Sequence, residues 1–341
     1  MELARQGLQP DIVDKKPAPS SLSRAVGIMP ASIQALAASG VGQAVLGEAL
    51  PLQRVRFHRG SRCLANLDFS DITEPAERIR ALPQDRTEQL MSDALQRMGV
   101  QVKYNSRVEG LKTDGHQATV TIADETQQNY DWVIAADGVK SVVRQQLNIP
   151  YVGYDLPEKW SIADVDYTGD YDADLFSIHL QNNGRPTIIV PIGVKRLRIV
   201  SATPDAIESL PATTRERIDI SKVRRAGSFV ISVRQAESYH VGRVLLAGDA
   251  AHCHSPVGGR GMNLGIADAV AAAHAVLNDE PALYSHQRHE HGKRVMRETE
   301  RARKVLTSAN PVVQSTLNVA LMALGKLPFL KSRMLRQMIS M

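Results

Sequence analysis

Apolar and polar positions alternate along two short runs early in the chain, residues 52–57 and 63–69. A period of two is typical of strands that bury one face, and the turn residues at 59–61 predict an antiparallel hairpin between the runs. Residues 108–111 and 118–122 repeat the pattern around a second turn. The first part of the chain is therefore predicted to contain antiparallel sheet.

Helical segments and wholly apolar runs lie between these hairpins and after them. Residues 87–98 carry apolar side chains three and four positions apart, which predicts an amphipathic helix. Residues 132–136 and 244–247 are almost continuously apolar, as in strands buried on both faces of a parallel sheet. Strand-like runs fill 160–233, and the pattern beyond Pro281 is helical. This order predicts an α/β, Rossmann-like nucleotide-binding domain with an inserted, mainly antiparallel β-sheet domain and a helical C-terminus.

Composition is that of an ordinary folded protein. The chain has 341 residues, of which 43% are hydrophobic and 23% charged, and these values exclude a disordered or collagen-like chain. With only two cysteines, Cys63 and Cys253, we expect no disulfide framework and a reducing, cytoplasmic location. The N-terminus lacks the apolar region of a secretory signal, and no apolar run reaches the roughly 18 residues of a membrane span.

Positive charge is concentrated at the C-terminal end. The net charge is +5, but residues 281–341 hold 11 Lys and Arg against 3 Asp and Glu, a balance of +8. We interpret this tail as a solvated helical face that also exposes His286, His289 and His291, and a peripheral contact with an anionic membrane stays open. Because aromatic interleaving and nucleic-acid motifs are missing from the sequence, we expect no nucleic-acid partner.

The segment 244–269, VLLAGDAAHCHSPVGGRGMNLGIADA, carries the most specific chemistry. An apolar strand runs into Gly248 and Asp249, a glycine-rich loop follows, and then a helix begins. Glycines let the backbone approach a ligand closely, and a helix N-terminus offers free N–H groups and partial positive charge. Such an end stabilises a phosphate or a reduced aromatic ring that carries negative charge.

This segment resembles the flavin-contacting motif of the FAD-dependent aromatic hydroxylases, the para-hydroxybenzoate hydroxylase-like family of single-component flavoprotein monooxygenases. The motif is roughly G-D-A-A-H-x-x-x-P-x-G-G-x-G-M-N-x-G-x-x-D-A. In that family the aspartate holds the ribityl or pyrophosphate part of FAD, the proline lies near the ring, and the backbone after the glycines faces the flavin pyrimidine edge. The resemblance implies an FAD site formed by Gly248, Asp249, Pro256, Gly258, Gly259, Gly261, Met262 and Asn263.

A second segment, WVIAADGVKSVVR at 132–144, resembles the Asp-Gly motif of the same family. Asp137 and Gly138 match it, while Ala135 stands where a glycine is usual. The motif is associated with both FAD and the nicotinamide cofactor, so the resemblance implies that Arg144 contacts a phosphate of the pyridine nucleotide. An arginine in a surface ion pair at a helix end is the alternative, and the sequence leaves both open.

Three weaker matches extend the resemblance. Asp14 closes a short apolar strand, where dinucleotide-binding folds place an acid on the adenosine ribose. Arg24 lies in a Ser-Arg-Ala segment similar to one whose arginine contacts FAD in the family. Gln84 lies in a Leu-Pro-Gln segment similar to one whose glutamine approaches the flavin. We therefore include Asp14, Arg24 and Gln84 among the predicted cofactor-binding residues.

Other chemistries find little support in the sequence. The neighbouring residues His252, Cys253 and His254 are metal-ligand types, but adjacent loop residues rarely share one ion and no second pair lies at ligand spacing, so we predict no metal. Ser255 has no evident base or oxyanion partner, which argues against a serine hydrolase. No side chain is an obvious catalytic base, and we assign none.

The family begins with a strand and a G-x-G-x-x-G turn, about 20 residues before the acid of the second strand. Counting back from Asp14 reaches only the end of the intervening helix, at residues 2–6. We therefore predict an FAD-binding domain that is incomplete at its N-terminus, through either a start codon placed too far downstream or a truncated copy. Unpaired neighbours of the absent strand would cost about 1–3 kcal/mol per buried polar group.

The resemblance implies a monooxygenase that uses NADPH or NADH and O2 to hydroxylate a small phenolic molecule through a C4a-hydroperoxyflavin. Another FAD-dependent reaction on the same fold (epoxidase, ring-opening oxygenase or reductase) and a truncated, non-enzymatic remnant stay open, as does a homodimer. We expect the domains to divide as follows: an FAD-binding domain over 1–44, 81–154 and 239–280, a substrate domain over 45–80 and 155–238, and C-terminal helices over 281–341.

Overall fold

The structure, a computed structural model, describes residues 1–19, 25–68, 77–123, 126–327 and 329–332. Its α-helices are α1 (Glu2–Arg5), α2 (Pro30–Ala35), α3 (Val41–Glu48), α4 (Gln84–Arg97), α5 (Val142–Gln146), α6 (Ala212–Arg215), α7 (Gly261–Asn278), α8 (Pro281–Leu306) and α9 (Pro311–Lys326). Its strands are β1 (Ile12–Val13), β2 (Gly27–Ile28), β3 (Leu50–Pro51), β4 (Arg54–Arg59), β5 (Arg62–Asp68), β6 (Arg80–Ala81), β7 (Val102–Lys103), β8 (Val108–Thr113), β9 (Ala118–Ile122), β10 (Gln127–Tyr130), β11 (Val133–Ala135), β12 (Tyr151–Gly169), β13 (Leu175–His179), β14 (Thr187–Gly193), β15 (Arg196–Ser201), β16 (Ile218–Ala236), β17 (His240–Val241), β18 (Val244–Leu246) and β19 (His252–Cys253).

Parallel strand pairs form the α/β part of the fold. β1 pairs with β7, with Ile12 opposite Val102, and β11 pairs with β18, with Val133 opposite Val244. β17 adds to β18 in the antiparallel direction. All three residues of β18 are completely buried, as its continuous apolar run predicts.

One large sheet contains most of the antiparallel strands. Its strand order is β19-β16-β12-β15-β14-β13-β4-β5. β4 and β5 form the predicted hairpin, and β4 also pairs in parallel with β13. β12 and β16 are 19 residues each and pair along most of their length, with shifts of register. This sheet, the parallel pairs and the C-terminal helices confirm the predicted fold class.

Three elements differ from the predicted pattern. α4 begins at Gln84, three residues before the predicted start, directly after Pro83 in an extended conformation. α7 begins at Gly261, still within the predicted glycine-rich loop, because first-turn N–H groups need no partner within the helix and a glycine is tolerated there. β10 pairs with β9 as an additional strand, which its largely exposed polar sequence did not reveal.

Helices cover the sheets with apolar side chains. Ala272 and Ala275 of α7 pack in one buried cluster with Leu245 and Leu246 of β18. Leu321 of α9 packs in a second cluster with side chains of β4 and β5. None of the helices in the described ranges is long and apolar enough to cross a membrane.

Titratable side chains of the large sheet include an ion-pair cluster around the buried Asp164 and a pair of histidines. Asp164 on β12 accepts two hydrogen bonds, of 2.7 and 2.8 Å, from Arg198 on β15, and a third of 2.8 Å from Arg225 on β16. On β13, His179 stacks on His58 of β4 with ring centres 4.9 Å apart. Burial, and then the charge of His58, lowers the pKa of His179 to about 4.

Candidate functional site

The glycine-rich loop leads directly into the N-terminus of α7. Gly258 and Gly259 have φ angles of +89° and +64°, which glycine adopts without strain. Within the described ranges no side chain caps α7, and a Leu264 N–H to Arg260 carbonyl bond opens the helix. A Cβ built on Gly261 would meet no atom within 4 Å. The helix end thus combines uncapped N–H donors, a positive dipole and open space.

The side chain of Asn263 holds this helix end against β2 and the glycine-rich loop. Its Oδ1 accepts the N–H of Met29 at 2.8 Å, while its Nδ2 donates to the carbonyls of Gly27 at 2.9 Å and Gly259 at 3.0 Å. Asn263 is buried, and the preceding Met262 packs partly buried against a neighbouring apolar cluster. The Asn263 side chain therefore stabilises the protein's own backbone.

Gln84, at the start of α4, contacts the segment that follows Arg24. Gln84 Oε1 accepts the N–H of Ala25, and the Gln84 N–H donates to the Ala25 carbonyl, both at 3.2 Å. The same carbonyl accepts a 2.9 Å hydrogen bond from Arg198 of the large sheet. Arg24 itself lies outside the described residues. Gln84 and the segment after Arg24, far apart in sequence, are thus neighbours in space.

Asp137 and Gly138 follow β11 at the same sheet edge where Gly248 and Asp249 follow β18. The two strands are parallel neighbours, so both turns emerge side by side. Asp137 Oδ2 accepts the N–H of Val143 at 3.2 Å, at the start of α5, and Gly138 has a φ of +84°. The structure therefore brings the two predicted acid-containing turns together.

Arg144 is buried between these two turns. Its guanidinium donates to the carbonyls of Val139 and Ala250, each at 2.8 Å, and lies 3.8 Å from the centre of the Tyr151 ring. Arg144 is only 4% exposed. The alternative of a surface ion pair is therefore wrong, because both terminal nitrogens bind backbone carbonyls in the interior, and the nucleotide-phosphate contact stays a prediction.

Asp249 lies in the 3-10 turn Gly248–Ala250. Its carbonyl accepts a hydrogen bond of 3.0 Å from the Tyr151 hydroxyl, which also lies 3.0 Å from Cys253 Sγ. Burial raises the pKa of Tyr151, which keeps its hydroxyl protonated as a donor. Tyr151 thus links the backbone of Asp249 to Cys253, in the strand that follows the turn.

Asp268, on α7, contacts the same turn from the protein interior. Its Oδ2 accepts the N–H of Gly248 at 3.0 Å and lies 2.5 Å from His252 Nε2, while its Oδ1 accepts from Arg288 Nε at 2.6 Å. Burial raises the pKa of Asp268, but His252 and Arg288 outweigh this effect and the net pKa is lowered. The carboxylate is therefore ionised and has three donors.

Asp14 lies at the end of β1, where the strand pattern predicts it. Its Oδ1 accepts the N–H of Lys16 at 2.9 Å. Burial, followed by the charges of Asp14 and Glu88, raises the pKa of the Tyr104 phenol, so both carboxylates lie near that ring. Because Glu88 accepts a 2.9 Å hydrogen bond from Gln84, Asp14 and Gln84 share one neighbourhood.

The histidines near the glycine-rich loop and on α8 differ in burial. His254 Nδ1 lies 2.9 Å from the Ser255 carbonyl, and burial lowers the pKa of His254 to about 4. His286 is exposed on α8 as predicted, but the prediction is wrong for His289 and His291, which are half-buried because α8 packs against the core. No group of three His, Cys, Asp or Glu in the described ranges is placed to hold a metal.

Sequence reasoning assigned no role to three charged residues that contact the site's framework: Asp268, Arg288 and Arg198. Asp268 matches the motif, and this was the available signal, but its partners His252 and Arg288 are 16 and 20 residues away. Arg288 was grouped with the solvated basic tail, and Arg198 had no motif around it. Pro256, by contrast, lies half-buried in the predicted loop.

Comparisons with known proteins agree with this arrangement. A family model described as an FAD binding domain matches residues 1–299. The chain is 30% identical to rifampicin monooxygenase of Streptomyces venezuelae (79% of this chain, 59% of that protein). It is 28% identical to 6-methylpretetramide 4-monooxygenase of Streptomyces rimosus (97% and 64%) and 29% identical to pentachlorophenol 4-monooxygenase of Sphingobium chlorophenolicum (79% and 53%). The chain thus spans less than two thirds of the length of these curated relatives.

Solved structures share the fold at lower identity. A p-nitrophenol 4-monooxygenase from Pseudomonas putida has a TM-score of 0.86 at 20% identity, with 98% of this chain and 92% of that chain covered. An anhydrotetracycline hydroxylase from Streptomyces rimosus has a TM-score of 0.76 at 24% identity, with 99% and 72% covered. These likenesses establish the fold.

Proposed function

The chain belongs to the FAD binding domain family, and from this premise we propose that it acts in an FAD-dependent monooxygenase that hydroxylates a small aromatic molecule. The observation that carries the proposal is the open N-terminus of α7, placed beside the turns of Asp137 and Asp249. Support also comes from the relatives, because pentachlorophenol in one printed name and p-nitrophenol in another are aromatic compounds.

The donor set of this site suits FAD. Uncapped N–H groups at the positive end of an 18-residue helix suit the electron-rich pyrimidine edge of a flavin, whose negative charge in the reduced state they would stabilise. The carboxylates of Asp14 and Asp249, each at the end of a strand, suit the ribose and ribityl hydroxyls. Gly258, Gly259 and Gly261 leave room for the ring system, because two of these positions meet no atom within 4 Å.

Bound FAD would supply the oxygenation chemistry, with NADH or NADPH as reductant and O2 as oxidant, so that one oxygen atom of O2 enters the aromatic ring and the other leaves as water. The protein's own part is to bind, orient and exclude water. In this proposal residues 1–44, 81–154 and 239–280 hold the flavin, and 45–80 and 155–238 face the substrate. The hydrogen bond from Arg198 to Ala25 supports this division, because it joins the large sheet to the segment after Arg24.

Flavin binding is the first test. The purified full chain is titrated with FAD, and binding is followed by visible absorbance and by quenching of flavin fluorescence. Wild type and an Asp131→Ala control, which changes an exposed acid, should bind alike, while Asp249→Ala should bind at least tenfold more weakly. A folded wild-type protein that leaves the absorbance and the fluorescence of added FAD unchanged would overturn the proposal and favour a non-enzymatic remnant.

Product analysis with labelled O2 separates the reaction classes. A panel of phenols is incubated with NADH or NADPH, and products are examined by mass spectrometry. One labelled oxygen in a new ring hydroxyl supports the hydroxylase. An epoxide, a ring-opened product or a reduced product without label would instead identify an epoxidase, a ring-opening oxygenase or a reductase on the same fold.

A further inference from the structure

We propose that Asp268 and Arg288 are positioning residues, and that their buried ion pair holds the Gly248–Ala250 turn in the conformation that presents Asp249 to the cofactor. The proposal rests on the proposed function for the identity of that cofactor. It concerns two residues on different C-terminal helices, neither of which lies in the glycine-rich loop itself.

The carboxylate of Asp268 is fully buried, and its hydrogen bonds are directed at the turn. Oδ2 accepts the Gly248 N–H at 3.0 Å and contacts His252 Nε2 at 2.5 Å, so one oxygen joins the beginning of the turn to the strand that follows it. Oδ1 is left for Arg288 at 2.6 Å. The side chains of Asp268 and His252 are 0% and 2% exposed, so water does not compete for these bonds.

Gly248 begins the turn with a backbone conformation that glycine adopts without strain. Its φ of +58° lies in the left-handed region, and the turn it begins is only three residues long. Gly265 lies three residues before Asp268, so both are on one face of α7, and a Cβ on Gly265 would lie 3.7 Å from Gly248 Cα. The helix therefore packs closely on the turn while Asp268 fixes its amide.

α7 carries both the open N–H groups of the proposed site and the residue that contacts the Gly248 turn. Asn263 and the open N–H groups lie in its first turn, and Asp268 lies five residues further on, about 7–8 Å along the axis. A helix of this kind is rigid over such a distance. The contact of the Asp268 carboxylate with the Gly248 amide, together with the close packing of Gly265 on Gly248, therefore fixes the turn relative to the helix.

Arg288 stabilises the buried Asp268 carboxylate with a positive charge. A buried carboxylate without a counter-charge is strongly unfavourable, and Arg288 is the cation that contacts it directly. α8 is held in place nearby, because Gly292, one turn after Arg288, packs so closely that a Cβ there would lie 2.8 Å from Tyr239 Oη. The ion pair between Arg288 and Asp268 thus connects the basic helix to the side chain that holds the Gly248 amide.

The test replaces the ion pair by apolar side chains of similar volume. In Asp268→Leu/Arg288→Met, no buried charge is left uncompensated, so the fold is retained while Gly248 loses its acceptor. Arg288→Lys, which keeps the charge, serves as the conservative variant. Arg294→Met, which removes an exposed cation of the same helix, serves as the matched control.

The first readout, amide hydrogen exchange of Gly248 without FAD, is independent of cofactor binding. Exchange should be at least tenfold faster in the double variant, and unchanged in Arg288→Lys and Arg294→Met. Wild-type exchange at Gly248 in the double variant would overturn the proposal, even if the wild-type protein proved unable to bind FAD. If the wild-type protein does not bind FAD, the proposed function fails, but the exchange data still decide whether Asp268 holds the turn.

The second readout separates positioning from general stability. The double variant should bind FAD at least tenfold more weakly, with an altered visible circular dichroism of the bound flavin, while its urea midpoint stays close to wild type. A purely structural role predicts that affinity follows stability. Wild-type affinity and dichroism in the double variant would therefore refute the positioning role, as would a loss of affinity in Arg288→Lys equal to that of the double variant.

Discussion

Removal of the Arg144 guanidinium should destabilise the protein strongly, and this outcome would distinguish a framework role from the predicted contact with a nucleotide phosphate. Arg144→Met retains much of the side-chain volume but loses the hydrogen bonds to the carbonyls of Val139 and Ala250 and the contact with the Tyr151 ring. Each carbonyl belongs to one of the two acid-containing turns. The variant therefore separates the turns while leaving their own sequences intact.

The magnitude follows from the contacts. A hydrogen bond from a charged donor contributes about 1.5–3 kcal/mol, so two contribute about 3–6 kcal/mol. A desolvated cation over an aromatic ring adds roughly 2 kcal/mol. Loss of a buried charge also removes its desolvation penalty, which offsets part of this sum. We expect Arg144→Met to lower the free energy of unfolding by about 3–5 kcal/mol, a large part of the roughly 5–15 kcal/mol of a typical domain.

Urea unfolding at pH 7 measures this change as a shift of the midpoint at constant slope. Lys140→Met, an exposed substitution in the same turn, is the control and should be close to neutral. Arg144→Lys should be intermediate, because an ammonium cannot reach both carbonyls in the geometry of a guanidinium. An Arg144→Met variant within 1 kcal/mol of wild type, but with weakened NADPH binding, would refute the framework role and favour the nucleotide-phosphate contact.

Three further substitutions test other parts of the fold. Arg198→Met should lower the free energy of unfolding by about 3–5 kcal/mol in urea, because it leaves the buried Asp164 carboxylate with one partner fewer. Because the pKa of His179 is about 4, the unfolded chain binds a proton at this residue that the folded protein does not bind. His179 should therefore contribute a loss of about 3 kcal/mol of stability as pH drops from 6.5 to 4, and the fall in His179→Gln should be smaller by that amount. Gly292→Ala should cost about 1–3 kcal/mol, because its methyl group would meet Tyr239 Oη at 2.8 Å.

Matched controls come from exposed positions of the same residue types. Arg185→Met and His116→Gln should leave the urea midpoint and its pH dependence unchanged. Gly47→Ala, in α3 with no atom within 4 Å of the added methyl, should stabilise by about 0.5–1 kcal/mol. A loss of less than 1 kcal/mol in Arg198→Met, a wild-type pH slope in His179→Gln, or a neutral Gly292→Ala would contradict the respective argument.

Local pattern was sufficient for the elements whose residues decide their own structure. The buried strand β18, the hairpin of β4 and β5 and the turns after β11 and β18 all lie where alternation, apolar runs and glycines predict them. The sequence pattern predicted only part of the long antiparallel pair formed by β12 and β16. Its register shifts interrupt the alternation, and much of it is exposed on both faces, so that neither apolar pattern develops.

Tertiary partners could not be predicted, because nothing local encodes them. Arg198 and Ala25 are 173 residues apart, and Asn263 and Met29 are 234 apart. Only the folded chain brings such groups within hydrogen-bonding distance. For the same reason Arg288, one cation among many in a basic segment, could not be distinguished from its solvated neighbours by charge alone.

The same contacts change how the motif itself should be interpreted. The sequence resemblance presents Asn263, Arg144 and Gln84 as cofactor-binding residues, yet in the structure their side chains bind the protein's own backbone at Gly27 and Gly259, Val139 and Ala250, and Ala25. What the proposal leaves for the cofactor is the backbone of the first turn of α7 and of the turns after β11 and β18, together with the carboxylates of Asp14 and Asp249. Most substitutions leave a backbone N–H in place, proline being the exception. Recognition at such a site therefore depends strongly on the side chains that hold the backbone in position, and the polar residues of a motif can stabilise the protein backbone as well as contact the ligand.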